Sequence, residues 1–165
     1  MKVLRWTTML ASVLAVTAAG SAVAAGNANP LVEAVRKAND RFENVSVAEA
    51  EGYKPIACAS GIEGGSMGIH YVSETQLKDD GINLAKPEAV MYEPSADGKL
   101  KLIGVEYITV KGPAELNGHL FNFNNAPNRY GLPAFYELHV WAWKKNRKGP
   151  FTDMNPDVSC DAVVK

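Results

Sequence analysis

Three ionisable residues stand out because each lies in a short apolar segment of the sequence. His70 lies in G-I-H-Y-V, Glu106 in V-E-Y-I-T and His139 in L-H-V-W-A-W. Two imidazoles and one carboxylate are the ligand set of a facial metal site with open positions, which suits iron, zinc or manganese. We therefore treat the three residues as candidate ligands of a divalent metal and expect their side chains to converge.

The same residues have two interpretations that need no metal. Two buried histidines and a glutamate can satisfy one another by hydrogen bonds and so specify the packing of a core. They can also line a polar pocket for a small organic ligand, because indole rings in such a pocket provide flat apolar walls. The candidate ligand-binding residues are then His70, Glu106, Tyr107, His139, Trp141 and Trp143.

Other kinds of catalytic site are disfavoured. Neither Ser60 nor Ser66 lies in the G-x-S-x-G turn of a serine hydrolase. The glycine-rich stretch 60–68 leads into a predicted strand, whereas a phosphate-binding loop leads into a helix whose amides face the anion. No residue is assigned a catalytic role.

Residues 135–143 are predicted to form the strand around which the chain is organised. Their side chains alternate between two faces with a period of two, and aromatic and β-branched residues are frequent among them. One face is apolar apart from a phenol and is expected to pack in the core, and the other is expected to line a pocket. The core face holds Tyr136, Leu138, Val140 and Ala142, and the pocket face holds Phe135, Glu137, His139, Trp141 and Trp143.

Glu106 belongs to a second predicted strand, residues 100–110. Alternation places Glu106 on the same apolar face as Leu100 and Leu102, unless Gly104 marks a bulge that reverses the register. A buried carboxylate without a partner is unfavourable. The strand position therefore predicts a metal, another cation or hydrogen-bond donors beside Glu106.

The whole pattern predicts an α+β fold, in which N-terminal helices pack on a mainly antiparallel β-sheet that is open or barrel-like. Asn29 and Pro30 form a helix start, as N-cap and first helical residue, and apolar residues follow at helical spacing. Residues 73–84 are predicted to be a connecting loop. The long segment 111–134, rich in glycine, proline and asparagine, is predicted to be a functional lid.

The N-terminus has the pattern of a secretory signal peptide, residues 1–24. Two basic residues precede an apolar run that is too short to span a membrane, and Ala22-Val23-Ala24 is a cleavage pattern. Residues 25–165 are then a single domain, and no membrane span is expected in the mature chain. The expected location is periplasmic or secreted.

The charge balance argues against nucleic acid as a partner. The full sequence holds 17 Lys and Arg residues against 18 Asp and Glu residues, a net charge of −1. Removal of the signal peptide takes away two basic residues and leaves a slightly acidic chain. Because no basic stripe remains, binding to nucleic acid is disfavoured.

The two cysteines, Cys58 and Cys160, lie near opposite ends of the predicted domain. In an oxidising compartment such a pair is most simply a disulfide. It would close a loop of about 100 residues, which in the chain-entropy description is worth about 4–5 kcal/mol. A metal or redox site is the alternative, but the cysteines lack the C-x-x-C spacing.

Four motifs in combination resemble a family of short, secreted, uncharacterised bacterial proteins. The motifs are G-G-S-M-G-I-H-Y (64–71), G-V-E-Y (104–107), L-H-V-W-A-W (138–143) and N-P-D-V-S-C (155–160). The resemblance spans most of the mature chain and implies export and a single domain. It implies no activity.

Three functions remain open on these grounds. The first hypothesis is an exported domain that binds a small molecule or metal ion in a pocket lined by His70, Glu106, His139 and the indoles. The second is a metal-dependent enzyme with two histidine ligands and one carboxylate ligand, such as an oxygenase or isomerase. The third is a structural or interaction module.

Overall fold

The structure is a computed structural model that describes residues 29–61, 64–79 and 81–163. The predicted signal peptide, residues 1–24, lies outside the described residues. Helices and an antiparallel sheet make up the fold, so the predicted α+β class is confirmed. No helix in the described part of the chain is long and apolar enough to cross a membrane.

Seven strands form the main sheet, and every pairing in it is antiparallel. The strands of the main sheet are β1 (Lys54–Pro55), β2 (Ala59–Ser60), β3 (Ser66–Val72), β4 (Ala89–Pro94), β5 (Leu100–Thr109), β8 (Asn122–Asn124) and β9 (Phe135–Val140). Their order across the sheet is β1-β3-β4-β5-β9-β8, and β2 also pairs with β3. Among the described residues the sheet has two free edges and does not close, so the barrel-like alternative is wrong.

Three α-helices accompany the sheet: α1 (Pro30–Asn39), α2 (Val45–Ala50) and α3 (Glu74–Asp79). The predicted start of α1 is confirmed, since the Asn29 side chain accepts hydrogen bonds from the backbone N–H groups of Leu31 and Val32. Short 3₁₀ helices follow α1 at Asp40–Glu43 and end the described chain at Asp161–Val163.

Helix α3 corrects the prediction that all helices are N-terminal. It lies within residues 73–84, which were predicted to be a loop. The Ser73 hydroxyl accepts a hydrogen bond from the backbone N–H of Gln76, and none of the helix residues is buried. An exposed helix of six residues has no buried apolar stripe, so hydrophobic periodicity does not reveal it.

The two faces of the sheet pack against different parts of the chain. On the helix side, α1 and α2 cover the larger apolar cluster, which includes Phe42, Tyr92, Val105, Tyr107 and Leu138. On the site side, the C-terminal segment 149–160 covers a smaller cluster made of Met67, Met91, Ile103, Trp141 and Val158.

A β-bulge in β5 sets the direction in which Glu106 points. Met91 pairs with Gly104 but Tyr92 pairs with Leu102, so Ile103 is the extra residue. The bulge places Leu102 on the helix side and Glu106 on the site side, so the predicted exception, a bulge at Gly104 that reverses the register, is the case that occurs. Gly104 is required here, because a Cβ at that position would lie 2.8 Å from the Val140 carbonyl oxygen.

Segment 111–134 is less irregular than its composition predicts. It contains β6 (Glu115–Leu116), β7 (His119–Leu120) and the edge strand β8, and β6 pairs with β7 in a small hairpin. The predicted disulfide is present between Cys58 and Cys160. It attaches the C-terminal segment to the chain that enters β2.

Candidate functional site

The sheet brings His70, Glu106 and His139 together on the site side. Glu106 of β5 lies directly opposite His139 of β9. His70 of β3 belongs to a strand that is separated from β5 by β4. Across that strand, Glu106 faces Ala89, whose small side chain leaves room for the longer ones to meet.

The three side chains form a compact group that we call the His–Glu cluster (His70, Glu106 and His139). The Nε2 atom of His70 lies 3.3 Å from Oε2 of Glu106, and Nε2 of His139 lies 3.6 Å from the same oxygen. One potential ligand atom from each residue lies within 4.8 Å of the others, and all three residues are fully buried. The convergence expected of candidate ligands is present.

Arg129 and Tyr130 complete the surroundings of Glu106, and the sequence did not assign them to the site. The guanidinium of Arg129 donates to Oε1 of Glu106 at 2.8 Å and lies 3.4 Å from Nε2 of His139. The Tyr130 hydroxyl donates a short hydrogen bond to Oε2 of Glu106. Both residues come from the loop before β9, within the segment predicted to be a lid, and they supply the cation and donor that a buried carboxylate requires.

Two further carboxylates adjoin the cluster. Glu137 accepts hydrogen bonds from the Asn124 amide and from Arg129, both at 3.1 Å. Asp153, from the C-terminal segment, places Oδ1 3.4 Å from Nδ1 of His139. Glu137 stood on the predicted pocket face, whereas nothing in the sequence near Asp153 indicated this contact.

Several buried nitrogens at the site lack a hydrogen-bond partner among the described residues. They are both ring nitrogens of His70, Nδ1 of His139 and Nε of Arg129. The Nε2 atom of His70 is close to Glu106, but the contact does not have hydrogen-bond geometry. An unsatisfied buried polar group costs about 1–3 kcal/mol, so this arrangement requires a physical explanation.

The local charges move the pKa values of the cluster in different directions. Burial alone would raise the pKa of Glu106, but the charges of His139 and Arg129 hold it well below its ordinary value. Burial lowers the pKa of His70. Burial also opposes charge on His139, but the neighbouring Glu106 and Asp153 outweigh it and raise the pKa of His139.

Glu137 behaves differently from Glu106. Burial, together with the negative charge of Glu106, raises the pKa of Glu137 to about 8. The site therefore contains three carboxyl groups, those of Glu106, Glu137 and Asp153, against the single guanidinium of Arg129. Glu137 is therefore protonated at neutral pH, and the ionised carboxylates of Glu106 and Asp153 face the guanidinium of Arg129 and the imidazole of His139, whose pKa is raised.

Three of the predicted ligand-binding residues lie elsewhere. Tyr107 points to the helix side, where its hydroxyl donates to the Leu84 carbonyl at 2.7 Å. Trp141 packs in the site-side apolar cluster and donates to the Thr152 carbonyl, and Trp143 packs against the helix-side cluster. Trp141 thus lies on the same side of the sheet as His139, as predicted, but outside the His–Glu cluster. The predicted face is wrong for Trp143, because β9 ends at Val140 and the alternation stops there.

A cavity adjoins the cluster through its two loop residues. Arg129 and Tyr130, which contact Glu106, also line a cavity of about 200 Å³ together with Lys54, Ile56, Val72, Glu74 and Leu77. A larger cavity of about 490 Å³ lies beside Trp143, and no residue of the His–Glu cluster lines it. We base the functional argument on the smaller cavity, because Arg129 and Tyr130, which contact Glu106, line it.

Comparisons with models of known protein families, with curated proteins and with solved structures return no match to this chain. The functional argument therefore rests on the geometry and chemistry of the site.

Proposed function

We propose that the protein binds a divalent transition-metal ion through His70, Glu106 and His139. The donors are two imidazole nitrogens and one carboxylate oxygen, a set that zinc, iron and manganese accept. They come from three strands of one sheet, so their backbone positions are fixed by the sheet hydrogen bonds. A rigid scaffold of this kind suits a preorganised metal site.

The observation that carries the proposal is His70. Its imidazole is fully buried, and neither ring nitrogen has a hydrogen-bond partner among the described residues. If the His–Glu cluster served only to specify the core, its members would be expected to satisfy one another. A metal ion bound to Nε2 would instead provide the missing partner.

The charges around the cluster also support a cation. Arg129 pairs with Glu106 and Glu137. Asp153 lies beside His139. A divalent ion among these groups would favour the ionised form of Glu137, whose pKa is raised to about 8. Arg129 contacts Oε1 of Glu106, which leaves Oε2 for the ion. The Tyr130 hydroxyl already touches Oε2 and is available as a further oxygen donor.

The carboxylate of Asp153 adds support from outside the ligand set. Histidines that bind metals usually direct their second ring nitrogen to a carboxylate or carbonyl group, which fixes the tautomer and the ring orientation. Nδ1 of His139 lies beside Asp153 while Nε2 faces Glu106. His139 thus has the two-sided environment of a metal ligand.

Equilibrium dialysis with Zn²⁺, followed by elemental analysis, tests the proposal on protein purified without a histidine tag. We expect the wild type to retain zinc and His70→Ala to lose at least one equivalent. His119→Ala is the matched control, because His119 lies in the β6–β7 hairpin, packs on the Phe151 ring and belongs to neither group of potential ligands. Equal zinc retention by the wild type and His70→Ala would refute the proposal.

A metal-dependent enzyme is the second candidate, and the cavity of about 200 Å³ favours it. Arg129 and Tyr130 separate this cavity from the His–Glu cluster, so a small movement of their side chains would give a ligand access to the metal. Catalytic sites keep an open coordination position, whereas structural sites are closed. A change in the visible spectrum of the Co²⁺-loaded protein on addition of azide would support the enzyme, and an unchanged spectrum would favour storage or structural binding.

A further inference from the structure

A second group of potential ligands shares His139 with the proposed metal site. One donor atom each from Glu137, His139 and Asp153 lies within 4.8 Å of the others. Glu137 and His139 belong to β9, and Asp153 belongs to the C-terminal segment. Asp153 faces Nδ1 of His139, whereas Glu106 faces Nε2, so Asp153 lies on the opposite side of the imidazole from Glu106. Glu137 lies beside Glu106, since the same nitrogen of Arg129 donates to both carboxylates.

The second nitrogen of His139 is the independent sign of a ligand. His139 is fully buried, and its Nδ1 atom has no partner with hydrogen-bond geometry among the described residues. That atom lies 3.4 Å from the Asp153 carboxylate, a separation that leaves the contact weaker than an ordinary hydrogen bond. An ion bound between the two groups would satisfy both.

Neighbouring amides hold the two carboxylates in place. The Asn124 amide donates to Glu137 at 3.1 Å, and the Asn122 amide donates to Asp153 at 3.4 Å. Both asparagines belong to the edge strand β8, which pairs with β9. Metal-binding carboxylates are commonly supported by hydrogen bonds of this kind.

We propose that Glu137, His139 and Asp153 bind a second divalent cation, so that the His139 imidazole is shared by two ions. The proposal rests on the proposed function for the first ion. A shared imidazole binds through both nitrogens after its remaining ring proton passes to bulk water. The donor set of one nitrogen and two carboxylate oxygens suits Zn²⁺ and Mn²⁺.

The two sites differ in their access to water. The side chains of His70, Glu106 and His139 are completely buried, whereas the Asp153 side chain is 43% exposed. Water can therefore complete the coordination of the second ion. We expect the second ion to exchange with solution faster than the first.

Zinc stoichiometry, measured by equilibrium dialysis and elemental analysis, tests the proposal. The wild type should bind two equivalents, Asp153→Asn should bind one, and His70→Ala should retain the other. The matched control is Asp157→Asn, which alters an exposed carboxylate four residues away that pairs with Arg147. Since Asp153 is partly exposed, its replacement leaves the fold intact, and the near-ultraviolet circular dichroism spectrum verifies this.

Four results would overturn the proposal that two ions share the His139 imidazole. If the wild type binds one equivalent and Asp153→Asn binds it about 10–100-fold more weakly, Asp153 only positions His139. If the second equivalent persists in Asp153→Asn, it is an adventitious ion only. If the single equivalent survives His70→Ala and disappears in Asp153→Asn, the proposed first site fails while an isolated second site remains. If no variant binds zinc, both proposals fail.

Discussion

The buried polar groups on the two faces of the central sheet differ in how they are hydrogen-bonded. On the helix side, the hydroxyls of Tyr53, Tyr92 and Tyr107 each donate to a backbone carbonyl at 2.7 Å. On the site side, the imidazole of His70 has no hydrogen-bond partner in the described chain, and two carboxyl groups, those of Glu106 and Glu137, share the guanidinium of Arg129.

This difference separates polar groups that serve the fold from polar groups that serve a ligand. A buried hydroxyl that satisfies a loop carbonyl ties that loop to the sheet and stabilises the folded state. A buried, unpaired imidazole costs stability unless something binds to it. Natural proteins concentrate such departures from good packing at functional sites. In the described chain, four of the seven buried side-chain atoms without a hydrogen-bond partner belong to His70, Arg129 and His139 at the site, and the other three belong to Asn39, Glu88 and Trp143.

The largest effect is expected from removal of the disulfide, on which the cover of the site side depends. The double variant Cys58→Ser, Cys160→Ser should lose about 4–5 kcal/mol of unfolding free energy, because the bond closes a loop of about 100 residues. Denaturant titration measures the loss.

Hydrogen exchange shows whether the loss of stability is larger on the site side of the sheet than on the helix side. The amides of Ser66 and Asn155, which join β3 to the C-terminal segment, should exchange faster in the double variant. The amides of α1 should be affected less. Equal acceleration on both sides would contradict the picture of a separately attached cover.

The next largest loss of unfolding free energy is expected for Glu106→Gln. Removal of the charge leaves Arg129 without its closest partner, and breaking a buried pair costs about 3–5 kcal/mol. Because the pKa of Glu106 is lowered in the folded protein, its contribution is present above the pKa of an unfolded glutamate. The contribution is lost as pH falls through the folded value, so the two proteins should converge in acid.

Glu51→Gln is the control for Glu106→Gln on the helix side. Glu51 pairs with Arg41 at 2.7 Å, but both side chains are partly exposed. Exposed pairs contribute about 1 kcal/mol or less, so the variant should differ little from the wild type. Denaturant melts of all three proteins at neutral and acid pH make the comparison, and similar losses for both variants would remove the distinction between the faces.

Two smaller changes in unfolding free energy, one from a variant on each face, should have opposite signs. His70→Leu replaces an unpaired imidazole and should stabilise the metal-free protein by about 1 kcal/mol while abolishing its zinc-dependent stabilisation. Tyr107→Phe removes one of the two donors to the Leu84 carbonyl, since the Asn39 amide also donates to it at 2.9 Å, and should cost about 1 kcal/mol or less with zinc binding unchanged. Thermal melts with and without zinc decide, and destabilisation by His70→Leu would show that the imidazole serves the fold.

The smallest predicted effect is a difference in pKa between His70 and His139 in the protein without added metal. The raised pKa of His139 means that its contribution to stability is full below the unfolded pKa and is lost as pH rises through the folded value. The lowered pKa of His70 has the opposite consequence, a contribution lost as pH falls. NMR titration of the ring nitrogens should show His139 protonated at pH values where His70 is neutral, and coincident titrations would contradict the charge arrangement.

Much of the fold could be predicted from the sequence, since period-two alternation and capping residues are local signals. The strands that carry His70, Glu106 and His139 were expected, as were the start of α1 and the disulfide between Cys58 and Cys160. Helix α3 escaped prediction because an exposed helix carries no apolar stripe.

The site was predicted in part, for a physical reason. Each cluster residue is an ionisable group within an apolar segment, which a single sequence displays. Arg129, Tyr130 and Asp153 reach the cluster from irregular segments, and their direction depends on tertiary packing. The extra residue in β5 reversed the parity of Glu106, a change that alternation alone cannot reveal although Gly104 marked its place.

Anomalous diffraction at the zinc edge, from crystals grown with Zn²⁺, tests the central claim most directly. We predict an anomalous peak for a zinc ion that is coordinated by Nε2 of His70, Oε2 of Glu106 and Nε2 of His139. The zinc–nitrogen distances should be about 2.0–2.1 Å. Two observations together would contradict this account. The anomalous map would have no peak at the cluster, and the electron density would show Arg129 and Tyr130 in contact with Glu106, as they are in this structure.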